Sequence, residues 1–198
     1  MVKNYPKNWA FILLWQAYDN PMPRKRRLHM LVEDGIYHVI ARGNHKKPLF
    51  YEETDYFFFK KHLAEYKIKY SIEVLAYCLM SNHYHLLLKS GLQLPKLMHA
   101  FSIKYVKYFN AKYGLRGHLF EDRYKSFLVA DDPYMITLIR YIHNNPVRAG
   151  LVDGASLYSH SSLVDYANGN MKGLTDIKAV NAFFDNNSKV ESIALVLA

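Results

Sequence analysis

Two histidines separated by one residue, His83 and His85, are the first candidates for chemistry in this sequence. They lie in an apolar run, and in a β-strand residues i and i+2 project from the same face. Two neutral imidazoles at that spacing can share one divalent cation, with carboxylate or amide oxygens completing its shell. The alternative is a pair of histidines at a strand end that make ordinary hydrogen bonds, because a lone His-x-His pair is common.

A tyrosine and an asparagine four residues apart, Tyr141 and Asn145, form the second candidate group. Residues at this spacing share one helical face, one turn from each other. A tyrosine hydroxyl is a poor nucleophile near neutral pH, since its pKa is about 10, but a metal that polarises a phosphodiester makes its attack feasible. Asn145 could supply a neutral oxygen to that metal. The alternative is that Tyr141 packs in the core and Asn145 ends the helix before Pro146.

Basic side chains interleaved with aromatic ones form the third group, since lysine and arginine can meet phosphates and rings can stack on unpaired bases. Its basic members are Arg24, Lys25, Arg26, Arg27, Arg42, Lys104, Lys107, Arg116, Arg123 and Lys125, and its candidate stacking rings are Tyr105 and Tyr124. The alternative for these residues is a solvated helix face with half-buried rings and a charged terminus.

Composition agrees with a polyanionic partner. The chain has 198 residues and a formal net charge of +9. Residues 151–198 hold three lysines and five acidic residues, a net of −2, which leaves +11 for the first 150 residues. This imbalance favours nucleic acid, although a basic chain that is merely soluble would look the same.

The single cysteine excludes a disulfide framework and a multi-cysteine zinc site. No apolar run approaches the ~20 residues that span a bilayer, so we predict a cytoplasmic protein.

The elements that must position these residues can be predicted from periodicity and from cap and turn residues. They are a strand over 37–42, a helix over 55–68 capped by Thr54, a hairpin of strands over 71–80 and 83–89, a helix over 95–113 stopped by Gly114, a strand over 125–130, and a helix ending near residue 144. This order predicts an α+β, ferredoxin-like sandwich with a mostly antiparallel sheet and helices packed on it.

Three regions follow from the change in character along the chain. Residues 1–21 read as an N-terminal extension, which would lie upstream of the true start if translation begins at Met22. Residues 22–166 read as the catalytic or binding domain. Residues 167–198 read as an appended C-terminal tail of unknown role.

Four blocks in order span the predicted core: 37–44 (YHVIARGN), 79–87 (LMSNHYHLL), 117–120 (GHLF) with 123–126 (RYKS), and 139–150 (IRYIHNNPVRAG). Together they resemble the single-tyrosine HUH transposases, and within them the REP-associated tyrosine transposases of bacteria. This sequence departs from the usual pattern at Ser81, where the family has proline, and at Tyr84, where it has an aliphatic residue.

The resemblance implies a nuclease that cuts single-stranded DNA beside an imperfect hairpin. Carried over, it makes His83 and His85 metal ligands and Tyr141 the nucleophile, which forms a 5′-phosphotyrosine and releases a 3′-hydroxyl. Rejoining is the reverse attack by another 3′-hydroxyl. A polar residue one turn after the tyrosine completes the metal shell in relatives, which here is Asn145, with Asn144 and His143 as neighbouring candidates. The implied cofactor is Mg²⁺ or Mn²⁺, with no small-molecule cofactor.

We therefore predict a metal-dependent DNA transposase, an endonuclease and strand transferase for DNA transposition and recombination, acting on single-stranded DNA with REP-like hairpins. It would work as a monomer or homodimer, without a membrane, in the bacterial cytoplasm at the nucleoid. Two alternatives stay open. One is a non-catalytic regulatory module that binds hairpin DNA or RNA on the same fold, and the other is a metal-dependent phosphodiesterase that uses water.

Overall fold

The structure is a computed structural model and describes residues 31–129, 132–168 and 173–183. The predicted N-terminal extension 1–21, the basic residues Arg24, Lys25, Arg26 and Arg27, and most of 167–198 lie outside the described residues. The elements follow in the order β1 Ile36–Arg42, α1 Glu53–Lys69, β2 Glu73–Met80, β3 His83–Lys89, α2 Leu94–Tyr113, β4 Lys125–Leu128, α3 Asp132–His143, α4 Asn145–Arg148, α5 Leu163–Ala167 and α6 Ile177–Asn181. Single 3₁₀ turns occupy Asn44–Lys46, Gly91–Gln93 and Ala155–Leu157.

The four strands form one sheet in the order β2-β3-β1-β4, and every neighbouring pair is antiparallel. Two strand–helix–strand units with this strand order make the ferredoxin-like arrangement. The predicted fold class is therefore confirmed. In the part of the chain that the structure describes, no helix is long and apolar enough to cross a membrane.

Most element boundaries agree closely with the sequence patterns. Gly114 ends α2 in the left-handed region, at φ 63°, which a glycine adopts without strain. Thr54 was expected to cap α1, but the cap residue is Glu52 and Thr54 lies inside the first turn. Pro146 does follow the end of α3, and it also sits in the first turn of the short helix α4.

One face of the sheet is covered by α1 and α2. Alternate residues of the two central strands point to this face, among them Val39 of β1 and Leu86 of β3, and all are buried. They meet a cluster of aromatic rings from both helices, such as Phe59 and Phe101, whose rings meet edge to face at 4.7 Å. Burial of these large apolar side chains, which form the first core, is the main force that holds the two layers together.

The opposite face is covered by α3, α5 and α6. Leu138, Ile139 and Ile142 of α3 pack there against β2 and Leu87 of β3. Ile177 and Val180 of α6 are buried in the same cluster. Part of the segment that we expected to be an appended tail therefore belongs to this second core.

The C-terminal half of the chain also covers the outer edge of β2. The backbone N–H of Ser162 donates to the carbonyl oxygen of Tyr77 at 2.9 Å. Further along the strand, Asp176 and Val74 exchange two bonds, since the N–H of Val74 donates to the Asp176 carboxylate at 2.7 Å and the N–H of Asp176 to the Val74 carbonyl at 2.8 Å. These bonds satisfy backbone groups that an edge strand would otherwise leave open.

A buried carboxylate joins the start of α1 to the end of α2. Asp55 is fully buried and accepts hydrogen bonds from the backbone N–H of Tyr51 at 2.8 Å and from the hydroxyls of Tyr108 and Tyr113 at 2.8 and 2.7 Å. Lys112 approaches the same carboxylate at 2.7 Å. Burial alone would raise the pKa of Asp55, but the bonds from Lys112, Tyr113 and Tyr51 outweigh burial and hold the pKa below its usual value.

Substitution of Asp55 by asparagine should destabilise the fold. The amide removes the charge opposite Lys112 and turns a donor toward other donors, so Asp55→Asn should lower the free energy of unfolding by roughly 2–4 kcal/mol at neutral pH. Because the pKa of Asp55 is lower in the folded than in the unfolded chain, this contribution is complete above about pH 5 and is lost as the pH falls through the folded-state value. Urea denaturation of both proteins at several pH values measures it.

Glu65→Gln is the control, because it removes a half-exposed carboxylate from the same helix. It should change the free energy of unfolding by less than about 0.5 kcal/mol. A deficit in Asp55→Asn that is as large at about pH 3 as at neutral pH would contradict the assigned role.

Candidate active site

Strand β3 places His83 and His85 on one face of the sheet, directly after the turn from β2. Their ring centroids lie 5.1 Å apart. Tyr84 points to the other face, where it is fully buried beside Phe59 at 5.0 Å. The strand alternation therefore brings the two imidazoles together, and the aromatic ring that replaces the usual aliphatic residue is accommodated in the first core.

The turn that precedes His83 is held by backbone and side-chain contacts. The N–H of Gly43 donates to the carbonyl oxygen of Asn82 at 2.8 Å, and any side chain at position 43 would collide with the carbonyl oxygen of Lys47. The side-chain oxygen Oδ1 of Asn82 lies 2.7 Å from Nδ1 of His83. Because an amide oxygen only accepts, Nδ1 of His83 carries the proton and Nε2 carries the lone pair.

A third histidine, His38 of β1, lies on the same face. Its Nε2 is 3.0 Å from Nδ1 of His85, and the two ring planes are inclined by 17°. The register of the antiparallel pair creates this contact, since His85 is opposite Ile40 and Leu87 is opposite His38. Residues in adjacent cross-strand pairs on one face are near enough for such diagonal contacts.

Burial favours the neutral form of all three imidazoles. It lowers the pKa of His38 to about 3. It lowers the pKa of His85 well below its usual value, with further contributions from His38 and His83. Burial and then the charge of Arg42 lower the pKa of His83 to about 4. A neutral imidazole retains the lone pair with which a histidine binds metal.

Tyr141 faces these rings from α3. Its ring centroid lies 5.9 Å from that of His85 and 6.4 Å from that of His38, with the ring planes nearly perpendicular. The guanidinium carbon of Arg148 lies 5.2 Å from the Tyr141 ring centroid. Burial raises the pKa of the Tyr141 hydroxyl, and the positive charge of Arg148 opposes that rise. The phenol is therefore protonated at neutral pH, beside a cation that eases loss of its proton.

Asn145 and His143, two candidates for a third metal ligand near the end of α3, have different hydrogen-bond partners. Asn145 donates its amide N–H groups to the carbonyl oxygens of Tyr141 at 2.9 Å and Ile142 at 3.3 Å, which leaves its Oδ1 as the atom that a metal would use. His143 is fully buried, and its Nε2 lies 2.6 Å from the hydroxyl oxygen of Ser162. His143 thus links α3 to the segment that covers β2.

The donor set fits a divalent cation. His83 donates from Nδ1 to Asn82 and so presents Nε2, His85 lies beside it on the same face, and Asn145 offers an amide oxygen. Within the described ranges, no group of three or more histidine, cysteine, aspartate or glutamate side chains is arranged to hold a metal ion. A metal bound to the two histidines would therefore draw its other ligands from an amide, from water or from a phosphate.

Two of the predicted phosphate contacts lie on the histidine face. Arg42 is paired opposite His83, and Lys125 is paired opposite Ile40, the neighbour of His85 across the sheet. The Nε of Arg42 donates to Glu121 at 2.7 Å. This bond from Arg42, opposed by partial burial, holds the pKa of Glu121 below its usual value, and Lys125 adds to the effect.

The other described basic residues lie on α2 or in the loop before β4. Lys104 and Lys107 are exposed on α2, which covers the opposite face of the sheet. Arg116 and Arg123 are exposed in the loop between α2 and β4. The structure therefore does not gather the whole predicted basic group around the histidines.

The candidate stacking rings separate into one buried and one partly exposed residue. Tyr105 is 1% exposed and donates its hydroxyl to the carbonyl oxygen of Leu49 at 2.6 Å, so it cannot stack on a base and that prediction is wrong. Its spacing of four residues from Phe101 and from Phe109 is the helical signal for a core position. Tyr124 is half-buried against the first core.

A family model described as "Transposase IS200 like" matches residues 31–145, more than half of the chain. The chain belongs to the IS200-like transposase family. This membership confirms the resemblance drawn from the four sequence blocks, and the match spans β1 through Asn145.

The fold of this transposase is similar to that of a REP-associated tyrosine transposase solved bound to a REP hairpin. The TM-score is 0.60 at 17% sequence identity, over 85% of this chain and 97% of the other. A crystal structure of a candidate transposase from Deinococcus radiodurans R1 matches with a TM-score of 0.41 at 21% identity, over 62% of this chain and 97% of the other. No curated protein matches the chain.

Three residues around this transposase's candidate site were missed by sequence reasoning: His38, Asn82 and Arg148. All three lie inside the sequence blocks that carry the resemblance. His38 had a detectable signal, because it is a polar residue on the same strand face as Ile40, where only apolar residues would be expected. The partners of Asn82 and Arg148 depend on the folded geometry.

Removal of the Arg148 charge should raise the pKa of the Tyr141 hydroxyl further, because the phenolate loses a neighbouring cation. A pH titration followed by the ¹³Cζ NMR signal of Tyr141 would show a transition at higher pH in Arg148→Leu than in the wild type. Arg140→Leu, an exposed position on the same helix, is the matched control. Equal transitions in Arg148→Leu and the wild type would refute the electrostatic link.

Proposed function

We propose that this transposase cleaves and rejoins single-stranded DNA beside hairpin, REP-like sequences through a covalent 5′-phosphotyrosine at Tyr141. The observation that carries the proposal is the position of the Tyr141 ring, 5.9 Å from His85 on the face that also holds His83. Family membership supports a DNA-processing enzyme, and the similarly folded transposase was solved with a REP hairpin bound.

In the proposed reaction, Tyr141 is the nucleophile and the DNA 3′-oxygen is the leaving group. The Tyr141 oxygen attacks the scissile phosphorus and loses its proton, the bond from phosphorus to the 3′-oxygen breaks, and that oxygen leaves as a 3′-hydroxyl once it takes up a proton. Arg148 lowers the cost of forming the phenolate. In the reverse step another 3′-hydroxyl attacks the phosphotyrosine and Tyr141 departs, so the phosphate bond energy is conserved.

His83, His85 and Asn145 would hold Mg²⁺ or Mn²⁺. The bound ion would polarise the phosphate and orient it for in-line attack. The chain's own side chains provide the rest: Arg42 and Lys125 offer positive charge on the same face for the phosphates on either side. Lys104 and Lys107, on the other side of the sheet, would contact DNA farther from the cleaved bond. Arg116, Arg123, Arg24, Lys25, Arg26 and Arg27 are also proposed to contact DNA phosphates.

A covalent adduct is the decisive test. With Mn²⁺ and a labelled single-stranded hairpin oligonucleotide, the wild-type protein should give a protein–DNA adduct on a denaturing gel, and Tyr141→Phe should give none. Tyr134→Phe, two turns earlier on the same helix, is the matched control and should retain the adduct. Cleavage without an adduct would favour water as the nucleophile, and binding without cleavage would favour a regulatory module.

Substitution of either metal-binding histidine should reduce DNA cleavage without a comparable loss of hairpin affinity. We expect His83→Ala and His85→Ala to reduce cleavage by at least about 100-fold, because a metal ligand is removed. Hairpin affinity should stay within about threefold, because phosphate contacts supply most of it. Gel-shift and cleavage assays on the same oligonucleotide measure both quantities. A loss of affinity as large as the loss of cleavage would assign the histidines a structural role.

A further inference from the structure

His38 is a buried histidine to which the proposed reaction gives no role. It is 6% exposed, and its side-chain hydrogen bond within the described part of the chain runs to Nδ1 of His85. Its other ring neighbours, Phe127 at 6.2 Å and Tyr141 at 6.4 Å, are aromatic. A leucine would fill such a site without the cost of burying polar nitrogens, so the hydrogen bond is what distinguishes histidine here.

The geometry of this contact is suited to an in-plane N–H···N bond. The two nitrogens are 3.0 Å apart, and the ring planes differ by only 17°. The lone pair of an imidazole nitrogen lies in the plane of its ring, so near-parallel planes allow the N–H of one ring to point at the lone pair of the other. The contact fixes the rotation of the His85 ring and allows two placements of the shared proton, on Nδ1 of His85 or on Nε2 of His38.

We propose that His38 is a positioning residue that keeps the proton of His85 on Nδ1 and thereby presents Nε2 to the divalent cation. His38 Nε2 accepts this N–H, and its own proton is then on Nδ1. Because the acceptor sits on the Nδ1 side of the His85 ring, His38 is not itself a ligand. The inference rests on the metal site proposed above. It gives His85 a partner equivalent to Asn82, which orients His83.

Two substitutions of His38 distinguish a role in positioning His85 from a role in packing. His38→Gln places an amide oxygen near the position of Nε2 and keeps an acceptor for His85, whereas His38→Leu fills the volume and removes the acceptor. Phe127→Leu is the matched control, because Phe127 neighbours His38 from β4, whereas His85 neighbours it from β3. All three proteins are compared with the wild type as full-length chains.

Binding of Mn²⁺ alone, without DNA, is the first readout. Isothermal titration calorimetry should show affinity about 10–100-fold weaker in His38→Leu, the loss typical for removal of a residue that orients a metal-binding histidine. His38→Gln and Phe127→Leu should stay within about threefold of the wild type. Equal affinity in His38→Leu and the wild type would overturn the proposal, as would a loss in His38→Gln as large as that in His38→Leu.

The second readout is the tautomer of His85 in the wild-type protein, which needs no variant to fold. Long-range ¹H–¹⁵N NMR correlations of the imidazole should show the proton on Nδ1, and a proton on Nε2 would overturn the proposal. Neither readout involves strand cleavage. A protein that binds Mn²⁺ with the expected tautomer but forms no DNA adduct would therefore refute the proposed function and leave the role of His38 intact.

Discussion

The register between β1 and β3 is the constraint on which the rest of the structure depends. It sets Arg42 opposite His83 and Ile40 opposite His85, and so brings His38 within hydrogen-bond distance of His85. Because side chains alternate with a period of two, a slip by one residue would turn the histidines toward α1 and α2 and turn Tyr84 and Leu86 toward α3. The backbone bond from Gly43 to Asn82 holds the strand ends against such a slip.

The two faces of the sheet differ in the kind of side chain that they bury. The face under α1 and α2 is packed with aromatic rings and anchored at its rim by Asp55, and it supplies most of the apolar burial. The face under α3 holds the buried imidazoles of His38 and His85 and the partly buried imidazole of His83, which is costly unless each is hydrogen-bonded. The first face therefore stabilises a fold whose second face is free to hold polar, reactive groups at fixed distances.

Strand alternation and helical spacing predicted the same-face placement of His83 and His85 and the one-turn relation of Tyr141 to Asn145, because both relations are local in sequence. The two histidines lie on one strand, and the Asn145 amide donates back across the end of α3 to the Tyr141 carbonyl oxygen. The bond between His38 and His85 joins positions 47 residues apart, and only the strand register produces it. Tyr105 was misread for a different reason: the basic residues beside it suggested a surface, whereas its spacing from Phe101 and Phe109 marks the core. The start of α1 at Glu53, rather than after Thr54, follows from the capping box of Glu52 and Asp55, in which the N–H of Glu52 donates to the Asp55 carboxylate at 3.2 Å.

The covering of β2 has a consequence for the order in which the molecule is assembled. The backbone partners of this strand at Ser162 and Asp176 lie 85 and 102 residues later in the chain than the residues they bond, Tyr77 and Val74. On the ribosome, β2 and β3 emerge long before these partners, and their hairpin carries an unpaired strand edge until the later segments arrive. During synthesis the outer edge of β2 can be covered only after residue 176 has emerged, so until then the nascent hairpin is exposed to edge-to-edge association.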